Sequence, residues 1–337
     1  MPRQPKLKYI DTDKPGYSRR KWGRGFRYLD REGKSLEGDT LEWAKSLVIP
    51  PMWEEVWISP DPNGHILSTG RDDKGRKQYL YHPDWAAQRQ QLKFDKLVGF
   101  AEALPTLRRR LAEDLSLSGW SRDKVTAVAV SLLDEAGLRI GNRQYYKSNQ
   151  TTGLTTLRRK HISLLDDGSL KLNYKGKSNQ YRDVMIDNPE LVKLIKACSE
   201  LPGYELFRYC DENGENCTLD SSDVNEYLQR HIGDGFSSKD FRTWHGTTTA
   251  VKVAPECHRR VAAGEAKQPD VEVVKCVAEK LGNTVSVCRK YYIHPTVLEA
   301  VTQPDLPDVS AVSKALRRRF RGALDDSELL TYYIIGD

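Results

Sequence analysis

The stretch GLTTLRRKHISLLDDGSLKLNYKGKSNQYRDVMID, residues 153–187, decides the fold class. It contains one turn signal at Asp167-Gly168 and a second from Gly176 to Asn179. Two turns inside one β-rich stretch predict three short strands. Helical patterns lie on both sides of the stretch. Three strands inside a mostly helical domain is therefore the simplest account.

The helical patterns begin near residue 84. One is DWAAQRQQLKFDKLVGFAEAL, and another is SRDKVTAVAVSLLDEAG, with Ser121 as its N-cap and Gly137 as its stop. Before residue 90, turn signals around Asn63-Gly64 and Lys74-Gly75 separate short runs rich in aromatic and β-branched residues. We predict an α+β fold: a small antiparallel β-rich N-terminal domain, residues 1–88, and a mainly α-helical domain with the three-stranded β patch, residues 89–337.

Charge, cysteines and apolar runs limit the class of protein. The 337 residues include 53 Lys and Arg against 47 Asp and Glu, and the net charge of +6 permits a polyanionic partner. The six cysteines form no C-x-x-C pair and are expected to be reduced thiols of an intracellular protein. The N-terminus lacks the apolar core of a signal peptide, and no stretch approaches the roughly 18 apolar residues of a membrane span. We expect a cytoplasmic or nucleoid-associated protein without a membrane partner.

The tripeptide GKS occurs twice, at residues 33–35 and 176–178. The phosphate-binding loop G-x-x-x-x-G-K-[ST] requires an earlier glycine, and this chain has Tyr28 and Lys171 at those positions. ATP binding through this motif is thereby excluded. The sequence also has no H-x-x-x-H pair and no clustered set of carboxylates. We expect no cofactor.

Two segments interleave cations with aromatic rings. In YSRRKWGRGFRY, residues 17–28, five cations accompany Trp22, Phe26 and Tyr28. This composition suits the phosphates and bases of a nucleic acid, but a solvated basic loop with a few core aromatics explains it equally well. In GRKQYLYH, residues 75–82, a strand would place Tyr79 and Tyr81 on one face. Taken alone, such a pair is more typical of core packing than of DNA contact.

Four positions together could perform phosphoryl transfer to protein without a metal. They are Arg139 in LRIGNRQYY, Lys177 in YKGKSN, Arg242 in KDFRTWHGTTTA, and a tyrosine of CRKYYIHPTVLEAV. A phenol has a pKa near 10, and adjacent cations favour its ionised form. Two arginines can hold the charge of a pentavalent phosphate, and a lysine can protonate the departing alkoxide. Each residue alone is more simply a surface charge or a packed ring. Their combination points to a phosphodiester as the substrate.

These segments carry a family resemblance. Over about residues 17–301 the chain resembles a short type IB DNA topoisomerase of the bacterial and poxviral kind, through RIGNRQYYKSNQTTGLTTLRRKH, YKGKSNQ, KDFRTWHGTTTA, LGNTVSVCRKYYIHPTVLEAV, GRDDKGRKQYLYH and GRGFRY. The resemblance implies a DNA breaking-rejoining fold like that of tyrosine recombinases, with an N-terminal domain that clamps DNA. It also implies a monomeric isomerase that relaxes supercoiled duplex DNA through a 3′-phosphotyrosyl intermediate, without ATP or metal.

The resemblance also implies a role for each residue. Arg139 and Arg242 would clamp the scissile phosphate, and Lys177 would be the general acid for the 5′ oxygen. Asn283 stands where viral and eukaryotic members have a histidine that hydrogen-bonds a nonbridging oxygen, and its amide can donate that bond without carrying charge. The family register implies DNA contacts at Lys239, Tyr145, Tyr79, Tyr81 and Gln78, to which the two basic segments add Arg76, Lys77 and Arg24.

Two adjacent tyrosines compete for the role of nucleophile. Helical spacing does not choose between them, because Val287 lies one turn before Tyr291 and Cys288 one turn before Tyr292. The family register selects Tyr292, which immediately precedes IHPTVLEAV. A tyrosine site-specific recombinase is the alternative function, and the β-rich N-terminal domain stands against it. A DNA-binding module without catalysis is a second alternative, and the complete catalytic set stands against it.

Three histidines and the C-terminal tail have weaker signals. His161, His245 and His294 are expected to be structural or to face DNA, because the chemistry needs no neutral base beyond the cations. The tail SKALRRRFRGALDDSELLTYYIIGD is a basic helix candidate with an acidic, aromatic end. It would either pack on the helical domain or contact DNA.

Overall fold

The computed structural model describes residues 7–303 and 305–336, without the side chains of Tyr145, Ser148 and Ser178. The chain divides into two compact units between Lys93 and Phe94. No helix in this described part of the chain is both long and apolar enough to cross a membrane. All six cysteines are free thiols.

The first unit contains a five-stranded antiparallel sheet, in the order β2-β1-β3-β4-β5. The turn signals at Asn63-Gly64 and Lys74-Gly75 lie between β3 and β4 and between β4 and β5, as the sequence predicts. Gly75 has a φ of 71°, a left-handed conformation that glycine adopts without strain. The elements are β1 (Tyr17–Trp22), β2 (Gly25–Leu29), α1 (Gly38–Ser46), β3 (Glu54–Ile58), β4 (Ile66–Arg71) and β5 (Lys77–Tyr81).

One face of this sheet is apolar and the opposite face is basic and aromatic. Val56 and Ile58 of β3 pack with Leu36, Ala44 and Ile49 in the core of the unit. Side chains alternate along a strand, so the intervening residues point to the opposite side. The strand registers align these residues across the sheet. We call this side the outer sheet face; its exposed members include Arg20, Trp22, Arg27, Lys77, Tyr79 and Tyr81.

The second unit is mostly helical. The predicted helix SRDKVTAVAVSLLDEAG is confirmed, because the Ser121 side chain caps the Lys124 N–H and Gly137 ends the helix in a left-handed conformation. The helix that contains the boundary between the units is α2 (Pro83–Leu115). The remaining helices are α3 (Arg122–Ala136), α4 (Arg143–Asn149), α5 (Pro189–Glu200), α6 (Ser221–Ile232), α7 (Ser238–Ala262), α8 (Pro269–Leu281), α9 (Val285–Tyr291), α10 (Pro295–Ala300), α11 (Lys314–Arg319) and α12 (Asp326–Gly336).

The three predicted strands are confirmed as β6 (Ile162–Leu164), β7 (Leu170–Lys175) and β8 (Tyr181–Ile186), in the order β6-β7-β8. All pairs are antiparallel, and β7 and β8 pair up to the register Lys175↔Tyr181. The loop between them is closed by a hydrogen bond from the Gly176 N–H to the Gln180 carbonyl, at 2.8 Å. A second hairpin, β9 (Arg208–Cys210) with β10 (Asn216–Thr218), was not predicted.

Helix α7 lies at the centre of the second unit. Its Phe241 and Trp244 are fully buried, and Phe241 makes an edge contact with Phe100 of α2 at 5.1 Å between ring centroids. The tail packs on this helix, because the Trp244 indole N–H donates to Glu328 of α12 at 2.9 Å. The α+β class is confirmed. Helix α7 packs against α3 and α8. The beginning of α7 lies near the C-terminal ends of the other two helices, because Arg242 contacts Gly137 and Leu281.

Candidate active site

Arg242 joins the ends of two helices. It lies in the first turns of α7, and its guanidinium donates to the Gly137 carbonyl at 2.6 Å and to the Leu281 carbonyl at 2.9 Å. Gly137 follows α3 and Leu281 is the last residue of α8. Carbonyls at helix C-termini lack intrahelical partners and carry partial negative charge, so a buried cation satisfies them. This contact fixes the guanidinium in one place.

Arg139 lies just after the C-terminal end of α3, and its side chain is held by the turn that follows α8. It follows α3 by three residues and donates to the Gly282 carbonyl at 3.1 Å and to the Asn283 side-chain oxygen. Gly282 ends α8 with a φ of 59°, a left-handed conformation that turns the chain toward Asn283. The Gly282-Asn283 turn therefore orients Arg139.

The positive charge of these two arginines is not neutralised by protein. Among the described residues, no carboxylate forms an ion pair with Arg139 or Arg242. Burial, together with repulsion from Arg242, lowers the pKa of Arg139 to about 10, so the group is still cationic at neutral pH. Burial also lowers the pKa of Arg242, while the neighbouring Tyr292 hydroxyl opposes this change. Uncompensated buried charge is unfavourable in the free protein and favours binding of an anion.

Within the described part of the chain, two buried donors in this region have no hydrogen-bond partner. They are Nε of Arg242 and Nδ2 of Asn283. A buried polar group without a partner is unusual in a folded protein and is typical of a functional site. Together with the two guanidiniums, these donors could bind the nonbridging oxygens of a phosphate.

Tyr292 lies beside Arg242, with 5.2 Å between the guanidinium carbon and the centroid of its ring. It caps α9, and its N–H donates to the Cys288 carbonyl at 3.0 Å. Its backbone lies against Gly246 of α7, where a Cβ atom would be only 2.3 Å from the Tyr292 carbonyl oxygen. The Thr247 hydroxyl is 3.3 Å from the same oxygen. Helix α7 thus positions both Arg242 and the tyrosine.

The neighbouring Tyr291 has a different environment. Its side chain is 42% exposed, and the ammonium of Lys290 lies 5.3 Å from its ring centroid. Tyr292 is instead half-buried and packs against the core of the unit. The structure therefore distinguishes two tyrosines that helical spacing alone does not separate.

Lys177 lies in the loop that joins β7 and β8. It begins a single 3₁₀ turn in the β7–β8 loop and is exposed. Within the described part of the chain, Lys177 makes no hydrogen bond or ion pair with Arg139, Arg242 or Tyr292. Lys239 is also exposed, at the second residue of α7 and one turn before Arg242. The structure brings together Arg139, Arg242, Asn283 and Tyr292 and leaves both lysines exposed.

The predicted DNA contacts of the first unit separate into two groups. Tyr79 and Tyr81 are exposed and stacked on each other at 5.8 Å between centroids, and the Lys77 ammonium is 5.6 Å from the Tyr79 centroid. They lie on the outer sheet face rather than in the core. Gln78 and Arg76 instead bind Asp72, at 2.9 and 2.7 Å. Arg24 is exposed in the turn between β1 and β2. The side chain of the predicted contact Tyr145 lies outside the described residues.

Sequence reasoning missed two residues that hold the tyrosine, Gly246 and Thr247. Both are inside the segment KDFRTWHGTTTA, and a glycine in the middle of a helix was the available signal, because glycine disfavours helix unless close packing requires it. In residues 7–303 and 305–336, no group of three His, Cys, Asp or Glu side chains could hold a metal ion.

Comparison with known proteins gives the family. A family model described as the catalytic core of eukaryotic DNA topoisomerase I matches residues 77–317, and one described as the N-terminal domain of bacterial DNA topoisomerase IB matches residues 25–72. DNA topoisomerase 1B of Acanthamoeba polyphaga mimivirus is 30% identical over 281 residues, which cover 81% of this chain and 83% of the relative. DNA topoisomerase 1B of vaccinia virus (strain Copenhagen) is 25% identical over 298 residues, which cover 83% of this chain and 84% of the relative.

The fold and the site define a DNA topoisomerase I catalytic core. The chain belongs to the type IB DNA topoisomerase family, as one of its short members. The predicted resemblance is confirmed. Among solved structures, the XerH site-specific recombinase bound to a palindromic difH substrate is 16% identical with a TM-score of 0.36, covering 55% of this chain and 46% of that one.

Proposed function

We propose that this protein relaxes supercoiled duplex DNA by cutting and resealing one strand through Tyr292. The observation that supports this function most strongly is the pair of guanidiniums of Arg242, which is buried, and Arg139, which is half-buried. No described carboxylate neutralises their charge, and Tyr292 lies beside Arg242. A phosphodiester supplies the missing negative charge. Its transition state carries more charge on the nonbridging oxygens than its ground state does, so the same donors favour reaction.

Cleavage is a transesterification. The phenolic oxygen of Tyr292 releases its proton to water and forms a bond to phosphorus, while the bond from phosphorus to the 5′ oxygen breaks. Arg139 and Arg242 hold the nonbridging oxygens, and Asn283 donates to one of them through its unpartnered amide. Lys177 transfers a proton from its ammonium to the departing 5′ oxygen. The products are a 3′-phosphotyrosyl link and a free 5′ hydroxyl.

Relaxation follows from the reversibility of this step. One phosphate ester replaces another, so the bond energy is retained and no ATP is needed to reseal the strand. The broken end rotates around the intact strand and releases supercoils. The 5′ hydroxyl then attacks the phosphotyrosine and gives its proton back to Lys177, while the bond to Tyr292 breaks and the phenolic oxygen takes up a proton from water.

DNA binding uses cations and aromatic rings of both units. Residues 1–88 act as a clamp that holds the duplex through the outer sheet face, where Lys77, Tyr79 and Tyr81 are exposed. Lys239 contacts the strand near the cleavage site. The protein acts as a monomer on nucleoid DNA in the cytoplasm. Binding of this kind weakens with increasing salt, because phosphate contacts release counterions.

The test is relaxation of a negatively supercoiled plasmid that contains no special site, in EDTA and without ATP. The unmodified protein is expected to relax the plasmid at protein concentrations where it is monomeric, and Tyr292→Phe is expected to leave it supercoiled. Failure of the unmodified protein to relax the plasmid contradicts the proposal. A requirement for paired sites and a tetramer would instead identify a tyrosine recombinase.

A further inference from the structure

Arg182 connects two segments that the chemistry requires to meet. It lies on β8, and its guanidinium donates to the carbonyls of Glu279 and Lys280 at 3.0 and 2.6 Å. These carbonyls belong to the last turn of α8. The same side chain passes beside Gly282, where a Cβ atom would be 2.1 Å from Nη1 of Arg182. The arginine therefore fastens β8 to the C-terminal end of α8.

The other end of this side chain contacts the loop that carries the lysine. A Cβ atom on Gly176 would be 3.2 Å from Cγ of Arg182, so the loop backbone packs on the arginine stem. Lys177 follows Gly176 directly, and Gly282 and Asn283 accept hydrogen bonds from Arg139. One side chain thus spans from the Lys177 loop to the turn that orients Arg139.

An arginine at this place is favourable for α8 and unfavourable for its neighbours. It satisfies two terminal carbonyls and places positive charge at the negative end of the helix. However, its charge also acts against Arg139 and Arg242 and contributes to the lowered pKa of each. Attachment of the strand could be achieved by an apolar contact without this repulsion. The presence of Arg182 as a third cation beside Arg139 and Arg242 is therefore better explained by a role in the reaction than by a role in folding.

We infer that Arg182 is a positioning residue for the leaving-group proton. By docking the β7–β8 hairpin on the end of α8, it sets where Lys177 reaches the 5′ oxygen. This inference rests on the proposed function, in which Lys177 is the general acid. Arg182 itself touches neither the phosphate nor the tyrosine in this role.

The chemistry of the leaving group allows the inference to be isolated. When the bond from phosphorus to the 5′ oxygen breaks, the electron pair stays on that oxygen, which requires the proton from Lys177. If sulfur replaces the 5′ oxygen, the leaving group is a thiolate. A thiol has a pKa of about 8.5, so the thiolate departs without protonation. A defect in proton delivery therefore disappears with the sulfur substrate, and a defect at phosphorus does not.

The experiment measures single-turnover cleavage of two duplexes that differ only in oxygen or sulfur at the scissile 5′ position. Arg182→Ala is expected to be about 100-fold slower than the unmodified protein on oxygen, within the range of general acid catalysis. On sulfur it is expected to be within about threefold of the unmodified protein, as is Lys177→Ala. The cleavage rate of Arg182→Lys on the oxygen duplex should lie between those of the unmodified protein and Arg182→Ala. A lysine ammonium can donate to one of the two carbonyls but lacks the planar guanidinium that binds both. Arg242→Ala is the control and should be slow on both duplexes.

A double substitution gives a second readout. If Arg182 acts only through Lys177, the variant with both Arg182→Ala and Lys177→Ala should cleave the oxygen duplex no more slowly than Lys177→Ala alone.

Three results would overturn the inference: an unchanged rate of Arg182→Ala on oxygen, an equal loss on both duplexes, or multiplied defects in the double variant. If Arg182→Ala does not fold, Arg182→Lys decides the matter by the same comparison. Failure of the unmodified protein to cleave either duplex contradicts the proposed function itself, which separates the two claims.

Discussion

The guanidinium carbon of Arg242 lies 5.2 Å from the ring centroid of Tyr292. Helix α7 carries Arg242, whose guanidinium is held by carbonyls at the ends of α3 and α8, and the backbone of Tyr292 packs closely on the same helix. Arg139 and Asn283 contact each other in the same region. These four groups therefore lie in one region of the structure. Among the described residues, Lys177 makes no hydrogen bond or ion pair with them, so its approach to the phosphate is expected to depend on the bound strand.

The first prediction concerns Gly246, whose missing side chain lets the tyrosine backbone lie against α7. Gly246→Ala places a Cβ atom 2.3 Å from the Tyr292 carbonyl oxygen, so the tyrosine must shift. A displacement of about 1 Å in a reacting group can cost about 100-fold in rate, and we expect a loss of this size in single-turnover cleavage.

Gly99→Ala is the matched control, because Gly99 is also inside a helix and its added Cβ would make an ordinary contact, 3.6 Å from Phe236. Alanine is the better helix former, so this variant should keep full cleavage and gain about 0.5–1 kcal/mol in free energy of unfolding. Equal activity of the two variants would show that contact with Gly246 does not position Tyr292.

The second prediction concerns the amide of Asn283. Asn283→Ala removes the donor proposed for a nonbridging oxygen and should slow cleavage by about 100-fold, the usual cost of one such donor. Asn283→Asp keeps the shape but places an anion against Arg139, so it should be slower than Asn283→Ala. The order is measured by single-turnover cleavage at neutral pH. An aspartate variant as fast as the unmodified protein would show that Asn283 does not face the phosphate.

Arg19 and Arg20 are adjacent in sequence and give the third prediction. Arg19 is 7% exposed and donates to the carbonyls of Ile49, Pro50 and Trp53 at 2.6, 2.8 and 3.0 Å. Arg19→Ala should therefore lower the free energy of unfolding, by about 1–3 kcal/mol for a buried polar group left without its partner.

Arg20→Ala should affect DNA instead, because Arg20 is on the outer sheet face. We expect unchanged stability, weaker DNA binding, and a decrease of about 1 in the slope of log affinity against log salt. The two variants are compared by urea unfolding and by salt titration of duplex binding. If instead Arg19→Ala changed only the salt slope and Arg20→Ala only the stability, the assignment of the two arginines to the faces of the sheet would be wrong.

Much of the fold could be read from local signals. Turn residues located two hairpins of the first unit, β3–β4 and β4–β5, and Ser121 and Gly137 located both ends of α3. The β9–β10 hairpin escaped because each strand has only three residues and neither has an apolar alternation. Composition left two interpretations of YSRRKWGRGFRY open, a nucleic-acid surface and a solvated basic loop. The structure buries Arg19 against backbone carbonyls that are 30 or more residues away in the sequence. Composition does not reveal contacts between residues so far apart.

The candidate site was predictable as a set of residues but not as an arrangement. Resemblance predicts Tyr292 rather than Tyr291 as the nucleophile, and the structure shows a difference that the sequence does not: Tyr292 packs beside Arg242, which is distant in sequence. Arg182 gave no signal because its partners are backbone carbonyls at a helix end. Contacts with backbone carbonyls depend on tertiary packing, so no pattern of residue types in the sequence predicts them.

The fourth prediction concerns pH and the histidines. Burial, with help from Lys160 and Arg158, lowers the pKa of His161 to about 4, and burial also lowers the pKa of His245 and His294.

The folded protein therefore keeps these rings neutral where the unfolded chain, with a histidine pKa near 6.5, binds protons. Stability is fully present above about pH 6.5 and should fall as the pH decreases toward 5. Urea unfolding at constant ionic strength measures this change. Stability that is constant or rises over that interval would contradict the burial of neutral histidines.

The most direct test of the central claim is to identify the residue that becomes linked to DNA. A duplex cleaved close to the 3′ end of one strand, so that the short downstream fragment with the free 5′ hydroxyl dissociates, would trap the covalent complex, and mass spectrometry of the digested complex would locate the modified side chain. The account predicts a 3′-phosphate ester on Tyr292, formed in chelator, retained in Tyr291→Phe and absent in Tyr292→Phe. An adduct on Tyr291, on any other residue, or at a 5′ phosphate would contradict it.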